Sequence, residues 1–205
     1  MCTATQPALD GLFAELSPAL KRREICPNGA ELFEGLRRTT IVRETENVQM
    51  EALTQRLQAH EQVLCIVNSR KAAQEVFGGL QGTGNIHLST LMYPAHRIAL
   101  IQEIRDRLEE GKPCRVVATS LIEAGVDVDF PAVYREEAGL DSILQAAGRC
   151  NREGEHPYSE SIVTVFRLEG GGTPSIFSAN IGAFRETMAK HGDLNDPAAV
   201  QDYFH

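Results

Sequence analysis

No run of about 18 apolar residues occurs anywhere in the 205-residue chain, so no helical membrane span is expected. The N-terminus lacks the basic-then-apolar pattern of a secretion signal, and a cytoplasmic location is the default expectation. The five cysteines, Cys2, Cys26, Cys65, Cys114 and Cys150, are odd in number and form no CxxC pair. A zinc site or a disulfide framework is therefore not expected, and no metal site is assigned. Positive charge is not in surplus either. The net charge is −8, so any contact with nucleic acid must be local or shared with another domain. The parts of a self-sufficient nucleotide site are also missing. The one Gly-Lys pair, Gly111-Lys112, runs into Pro113, and no GxxxxGK[ST] loop exists. No Asp-Glu pair follows a strand to hold Mg²⁺, and no His-Asp pair offers a metal nuclease centre.

What is present is an ordinary globular composition, 42% hydrophobic and 23% charged, in a length that suits one domain plus end pieces. Apolar runs at Thr39–Val42, Gln62–Val67, Asn85–Ser89, Cys114–Ala118, Ala132–Arg135 and Ile162–Phe166 read as strands. Gln62–Val67 and Cys114–Ala118 are nearly continuous, as expected of strands buried on both faces, with Cys65 and Cys114 as small buried hydrophobes. Between the runs lie stretches of helical period: Val48–Leu57, a segment capped by Ser69 with Ala73, Val76, Phe77 and Leu80 in one stripe, a segment opened by Pro94, and Leu140–Arg149. This alternation predicts an α/β fold, a parallel sheet with helices on both faces. Gly170–Gly172 reads as a loop, and no element is assigned after it.

Chemistry concentrates in Gln145-Ala-Ala-Gly148-Arg149-Cys-Asn-Arg152. On a continuous helix, Gln145, Arg149 and Arg152 fall within one narrow arc, while Leu140, Ile143, Leu144 and Ala147 face the other way, toward a sheet. Two adjacent guanidiniums repel unless an anion joins them, and planar forked donors suit the oxygens of a triphosphate. A solvated helix face with two arginines is the plainer alternative. A chance match to all four fixed positions is on the order of one in a thousand at average residue usage. The pattern Q-x-x-G-R-x-x-R resembles motif VI of superfamily 2 helicases, and the resemblance implies that Arg149 and Arg152 act as fingers on the γ-phosphate.

Upstream, a buried strand ends at Ala118, and Thr119, Ser120 and Gly125-Val126-Asp127 follow at its carboxyl end, where open parallel sheets bind ligands. In register with the later motif, this segment resembles motif V. That implies a nucleic-acid contact for Thr119 and a nucleotide contact for Gly125 and Asp127, beside Gln145 and Gly148. Thr119, Gln145 and Arg149 are expected to gather at the carboxyl edge. Asn68-Ser69-Arg70 leaves a strand into a helix start, where free N–H groups favour phosphate, and resembles motif IV. By itself, Ser69 is simply a helix cap. His96 near a helix start reads as a cap or a phosphate neighbour rather than a catalyst. Thr3-Ala4-Thr5 resembles motif III, which closes the first motor domain of such enzymes.

Three longer strings narrow the resemblance: His87-Leu-Ser-Thr90 with Pro94-Ala-His96-Arg97, Ile122–Pro131, and Leu140-Asp-Ser-Ile143 leading into Gln145–Arg152. Together they resemble the CRISPR-associated helicase-nuclease. Ser120 departs from that family, which commonly has Gln there. The resemblance implies a RecA-like second motor domain at 41–168, preceded by the end of the first motor domain and a linker at 1–40. Residues 169–205 would then be an extension toward an accessory domain. It implies a 3′–5′ single-stranded DNA motor driven by ATP and Mg²⁺, with the first motor domain in cis and a CRISPR surveillance complex as partners. Asn68, Ser69, Arg70, Thr90, Arg97 and Thr119 are the expected nucleic-acid contacts. The chain alone is expected to be inactive on ATP. Two other readings stand beside this one: the second motor domain of a different superfamily 2 helicase, and a non-catalytic module with the same fold.

Overall fold

A computed structural model of the chain describes residues 29–122, 126–171 and 178–204. Its elements in order are α1 (Gly29–Gly35), β1 (Thr40–Val48), α2 (Met50–Gln58), β2 (Gln62–Ile66), α3 (Arg70–Gly79), β3 (Asn85–Leu88), α4 (Pro94–Glu109), β4 (Cys114–Ala118), β5 (Val133–Glu136), α5 (Leu140–Ala147), β6 (Ile162–Leu168), α6 (Ser178–Lys190) and α7 (Pro197–Tyr203). The strands form one six-stranded sheet in the order β1-β6-β5-β2-β4-β3. All of its ladders are parallel.

The central strands are buried because both of their faces are covered. Along β2, Leu64 and Ile66 pack on one side with Ile104 of α4 and Ala146 of α5. Val63 and Cys65 pack on the other side with Leu53 and Leu57 of α2 and Ala73 and Val76 of α3. This period of two is what turns an apolar run into two half-cores. Each crossover has a local cause. Ser69 caps α3 by accepting from the Ala72 N–H at 3.0 Å. Pro94 opens α4 at a position where its missing N–H costs nothing. Gly84, at φ +84°, turns the chain into β3 where a Cβ would run into the Pro113 carbonyl.

Four features depart from the sequence reading. β1 runs on to Val48 instead of ending at Val42. It is an edge strand paired only with β6, so its second half can be polar and carries no apolar signal. α2 accordingly begins at Met50. α5 stops at Ala147 instead of continuing through Arg149, and Ala146, not Leu144, joins Leu140, Ile143 and Ala147 in full burial. Beyond the glycine run, α6 and α7 fold back onto α5, and Phe184 and Leu194 close a third core cluster with Leu140, Ile143 and Val165.

Candidate functional site

The early end of α5 reorganises the motif VI residues. The backbone of Arg149 and Asn151 leaves the helix and pairs with Phe130. The Phe130 N–H donates to the Arg149 carbonyl at 2.9 Å, and the Asn151 N–H to the Phe130 carbonyl at 3.1 Å. Asn151 takes a left-handed conformation, φ 48°, which Asn tolerates better than most residues. Its buried side chain donates to the carbonyls of Arg38 (2.9 Å) and His156 (2.6 Å) and accepts from the His156 N–H (3.0 Å). The single helical arc expected for Gln145, Arg149 and Arg152 therefore does not form. Only Gln145 lies on α5, half-buried, and Gly148 is the residue that ends it.

The two arginines separate in role. Arg149 is 9% exposed. Its Nε donates to the Ile122 carbonyl at 3.1 Å and one terminal nitrogen to the Gly148 carbonyl at 3.2 Å. It braces the short turn Ser120–Ile122 that follows Thr119, instead of standing on an open face. Arg152 is exposed, and its Nε lies 2.8 Å from Asp127 Oδ1. Its backbone N–H and that of Glu153 are both held by the carboxylate of Asp129, at 2.8 and 3.0 Å. Asp129 carried no sequence expectation, although its D-V-D spacing after Asp127 was visible. Arg105 of α4 secures the same segment by donating to the Asp127 carbonyl at 2.8 Å. Burial, with Asp129 nearby, pushes the Cys150 thiol up to about 12, so it stays an inert neutral group inside the motif.

The gathering of Thr119, Gln145 and Arg149 expected at the carboxyl edge is met by the Arg149 side chain alone, through the turn that follows Thr119. Thr119 follows β4 at the carboxyl edge of the sheet. Arg149 to Arg152 sit against Phe130, Arg38 and the start of β6, at the amino edge, because α5 runs antiparallel to the strands and delivers its C-terminus there. The Arg149 side chain nevertheless reaches back to the Ile122 carbonyl in the turn that follows Thr119, whereas Arg152 lies beside Asp127 and Asp129. Gly125 and Thr3-Ala4-Thr5 lie outside the described residues.

At the carboxyl edge, β2, β4 and β3 are neighbours and bring Ser69, Thr119 and Thr90 into one row. Arg70 and Thr90 are exposed, Arg97 is half-exposed, and Thr119 is largely buried. Asn68 is itself hydrogen-bonded within the chain. Its amide donates to the Glu137 carbonyl at 2.8 Å, and its oxygen accepts from Arg135 at 2.7 Å. It is a structural tie between β2 and the end of β5. The adjacent pair Glu136-Glu137 was legible as two carboxylates after a strand, yet carried no expectation. The Glu136 carboxylate accepts from the Asn68 N–H at 2.6 Å, and burial raises its pKa above the usual range. Glu137 is 3% exposed and sits between Arg43 and Arg185. Burial pushes its pKa up, but the bonds from Arg185 and Arg43 outweigh that and hold it below the usual carboxylate value.

Comparison with known proteins agrees with this architecture. Residues 59–155 match the family model described as CRISPR-associated nuclease/helicase Cas3, C-terminal. A CRISPR-associated nuclease/helicase Cas3 of Haloferax volcanii is 46% identical over 70 residues, 34% of this chain and 8% of that protein. One from Methanothermobacter thermautotrophicus is 25% identical over 126 residues, 60% of this chain and 15% of that protein. The chain therefore spans only a small part of the relatives it matches. A crystal structure of T. fusca Cas3 with ATP superposes with a TM-score of 0.66 at 16% identity, covering 81% of this chain and 23% of that one, which shows the RecA-like fold. By these matches, residues 59–155 are similar to the C-terminal part of CRISPR-associated nuclease/helicase Cas3 proteins.

Proposed function

We propose that this chain is the second motor half of an ATP-dependent helicase that moves 3′ to 5′ along single-stranded DNA, within a CRISPR-associated protein that also degrades the strand. Residues 41–168 act as the motor domain, 1–40 as the end of the first motor domain and its linker, and 169–205 as an extension. The observation that carries this reading is the exposed Arg152 guanidinium, aimed by Asp127 and fixed at its backbone by Asp129. Its carboxylate partner is itself exposed, so a phosphate oxygen can replace it without disturbing the core.

ATP with Mg²⁺ supplies the phosphoryl transfer that drives movement, and the first motor domain in cis supplies the lysine loop and the carboxylates that hold the metal. This chain contributes Arg152 as the finger, Arg149 as a second guanidinium and brace, and Gln145, Gly148, Gly125 and Asp127 as lining. At the carboxyl edge of the sheet, Ser69, Arg70, Thr90, Arg97 and Thr119 form part of the DNA track, with Asn68 holding the strand ends that present them. A CRISPR surveillance complex and a cytoplasmic setting complete the reading.

The test is ATP turnover by this chain alone and when joined to a first motor domain carrying a GxxxxGK[ST] loop. No turnover is expected from the chain alone. DNA-stimulated turnover that is lost in Arg152→Ala is expected from the joined protein. Turnover by the isolated chain that survives repurification and disappears in Arg149→Ala would overturn the division of labour.

A further inference from the structure

Resting on the single-stranded DNA reading above, we propose that Tyr93, packed against His96 at the start of α4, is a base-stacking platform for single-stranded DNA, with Arg97 and Arg70 as its phosphate contacts. The local geometry starts at the end of β3. Leu88 pairs with Ala118 on β4, so the chain leaves the sheet beside Thr119. Ser89 is buried and makes a tight turn, its Oγ accepting from the Leu91 N–H at 3.3 Å and its carbonyl from the Met92 N–H at 3.2 Å. The turn throws Leu91 outward, 70% exposed. Tyr93 is extended, at ψ 153°, as a residue before proline must be, and Pro94 starts the helix. Tyr93 is 68% exposed, and its ring centroid lies 5.5 Å from that of His96. Ile98 is also 68% exposed. Three large apolar side chains thus stand in solvent within eight residues, and they are the most exposed large apolar groups among the described residues.

Charge identifies the occupant. Arg43, Arg56, Arg107, Arg152 and Arg185 each pair with a carboxylate. Among the described residues, the side chains of Arg70 and Arg97 have no such partner, and both lie in the first turn of a helix at the carboxyl edge. Arg38, Arg105 and Arg167 also lack a carboxylate partner, but only Arg70 and Arg97 stand at this edge, in a chain that carries −8 as a whole. Their edge holds Ser69, Thr119 and Thr90 on three adjacent strands, a span of about 10 Å at the spacing of a sheet. An apolar protein partner would use Leu91 and Ile98 but leave both arginines unmatched. A lipid surface would require a broad basic face, which an acidic chain does not supply. Single-stranded DNA brings flat apolar bases and a negative charge at every step, and it matches both features.

The experiment uses the 205-residue chain at low salt with a labelled thymidine oligomer and an abasic oligomer of equal length. The thymidine oligomer is expected to bind about tenfold tighter, the scale of one stacked base. Tyr93→Ala should remove that preference and leave abasic binding unchanged, and Tyr93→Phe should keep it. Arg97→Ala should weaken both oligomers alike. If both oligomers bind equally and Tyr93→Ala changes nothing, the stacking platform is refuted while the DNA track stands. If neither oligomer binds up to millimolar concentration, both readings fall. If Tyr93→Ala instead dissolves a self-associated species in sedimentation, with no change in DNA binding, the patch is a protein interface and the proposal is overturned.

Discussion

Arg152 Nε lies 2.8 Å from Asp127 Oδ1, with both side chains exposed, so the carboxylate orients the guanidinium. An exposed ion pair of this kind stabilises a fold by at most about 1 kcal/mol, and its use is orientation. In a protein holding both motor domains, Arg152→Ala should lower DNA-stimulated ATP turnover by about 10³-fold or more. Asp127→Asn should give a smaller loss in the same direction. Neither should shift the thermal midpoint of this chain by more than a few degrees. Early melting of Arg152→Ala with normal turnover per folded molecule would make the arginine structural.

Arg149→Ala should behave differently, losing stability as well as turnover. The buried guanidinium satisfies the Ile122 carbonyl at 3.1 Å, and its removal leaves that acceptor without this bond inside the core, at a cost of about 1–3 kcal/mol. Lysine should not restore the loss, since an ammonium cannot reach two carbonyls through one planar fork. Urea unfolding of the two variants checks this. A curve for Arg149→Ala that overlays the parent would show that the brace carries no load.

The sheet was legible in the sequence because β2 and β4 are buried on both faces and so read as unbroken apolar runs. α3 and α4 were legible through Ser69 and Pro94, which act within one turn of themselves. The end of α5 was not. A 3.6-residue period runs straight through Gln145, Arg149 and Arg152, and only the long-range pairing of Cys150 with Phe130 pulls the backbone out of the helix. The separation of Arg149, turned to the Ile122 carbonyl, from Arg152, paired with Asp127, follows from that same end point. Glu136-Glu137 was visible as a pair, but the partners of Glu137, Arg43 and Arg185, come from β1 and α6, 94 and 48 residues away in the chain.

Asn151 is the residue that redirects the chain after α5, and its replacement should be costly for two separable reasons. Asn151→Ala loses three hydrogen bonds and places a Cβ residue with no local compensation at φ 48°. About 2–4 kcal/mol is expected. Asn151→Gly keeps the backbone accessible but not the bonds, and should unfold at a urea concentration between those of the parent and the alanine variant. Equal midpoints for Gly and Ala would show that backbone conformation contributes nothing there.

α5 is attached by Ile143, which is fully buried, more than by Leu144, which is half-buried. Ile143→Ala should open a cavity against Val165 and Phe184 and cost about 2–5 kcal/mol, and Leu144→Ala should cost clearly less. Calorimetric unfolding of both variants measures the difference. Equal costs would mean that α5 packs in a rotated position.

The buried carboxylates at the end of β5 make stability depend on acid in two steps of opposite sign. Burial raises the pKa of Glu136 above 4.5, so its charged form is disfavoured in the fold. Lowering the pH through that raised value relieves the penalty and stabilises the chain. Glu137 responds the other way, because Arg185 and Arg43 hold its pKa below 4.5. Its contribution is present in full above the unfolded value and is lost as the pH falls through the folded one. Glu137→Gln should cost about 3 kcal/mol at neutral pH, since it leaves Arg43 and Arg185 without their shared anion. The gap between parent and variant should then close as acid protonates Glu137 in the parent. Glu136→Gln should remove only the early rise. Urea unfolding from roughly pH 3 to 7 resolves both limbs. A Glu137→Gln deficit that stays constant across that range would show that the clamp acts through packing and not through charge.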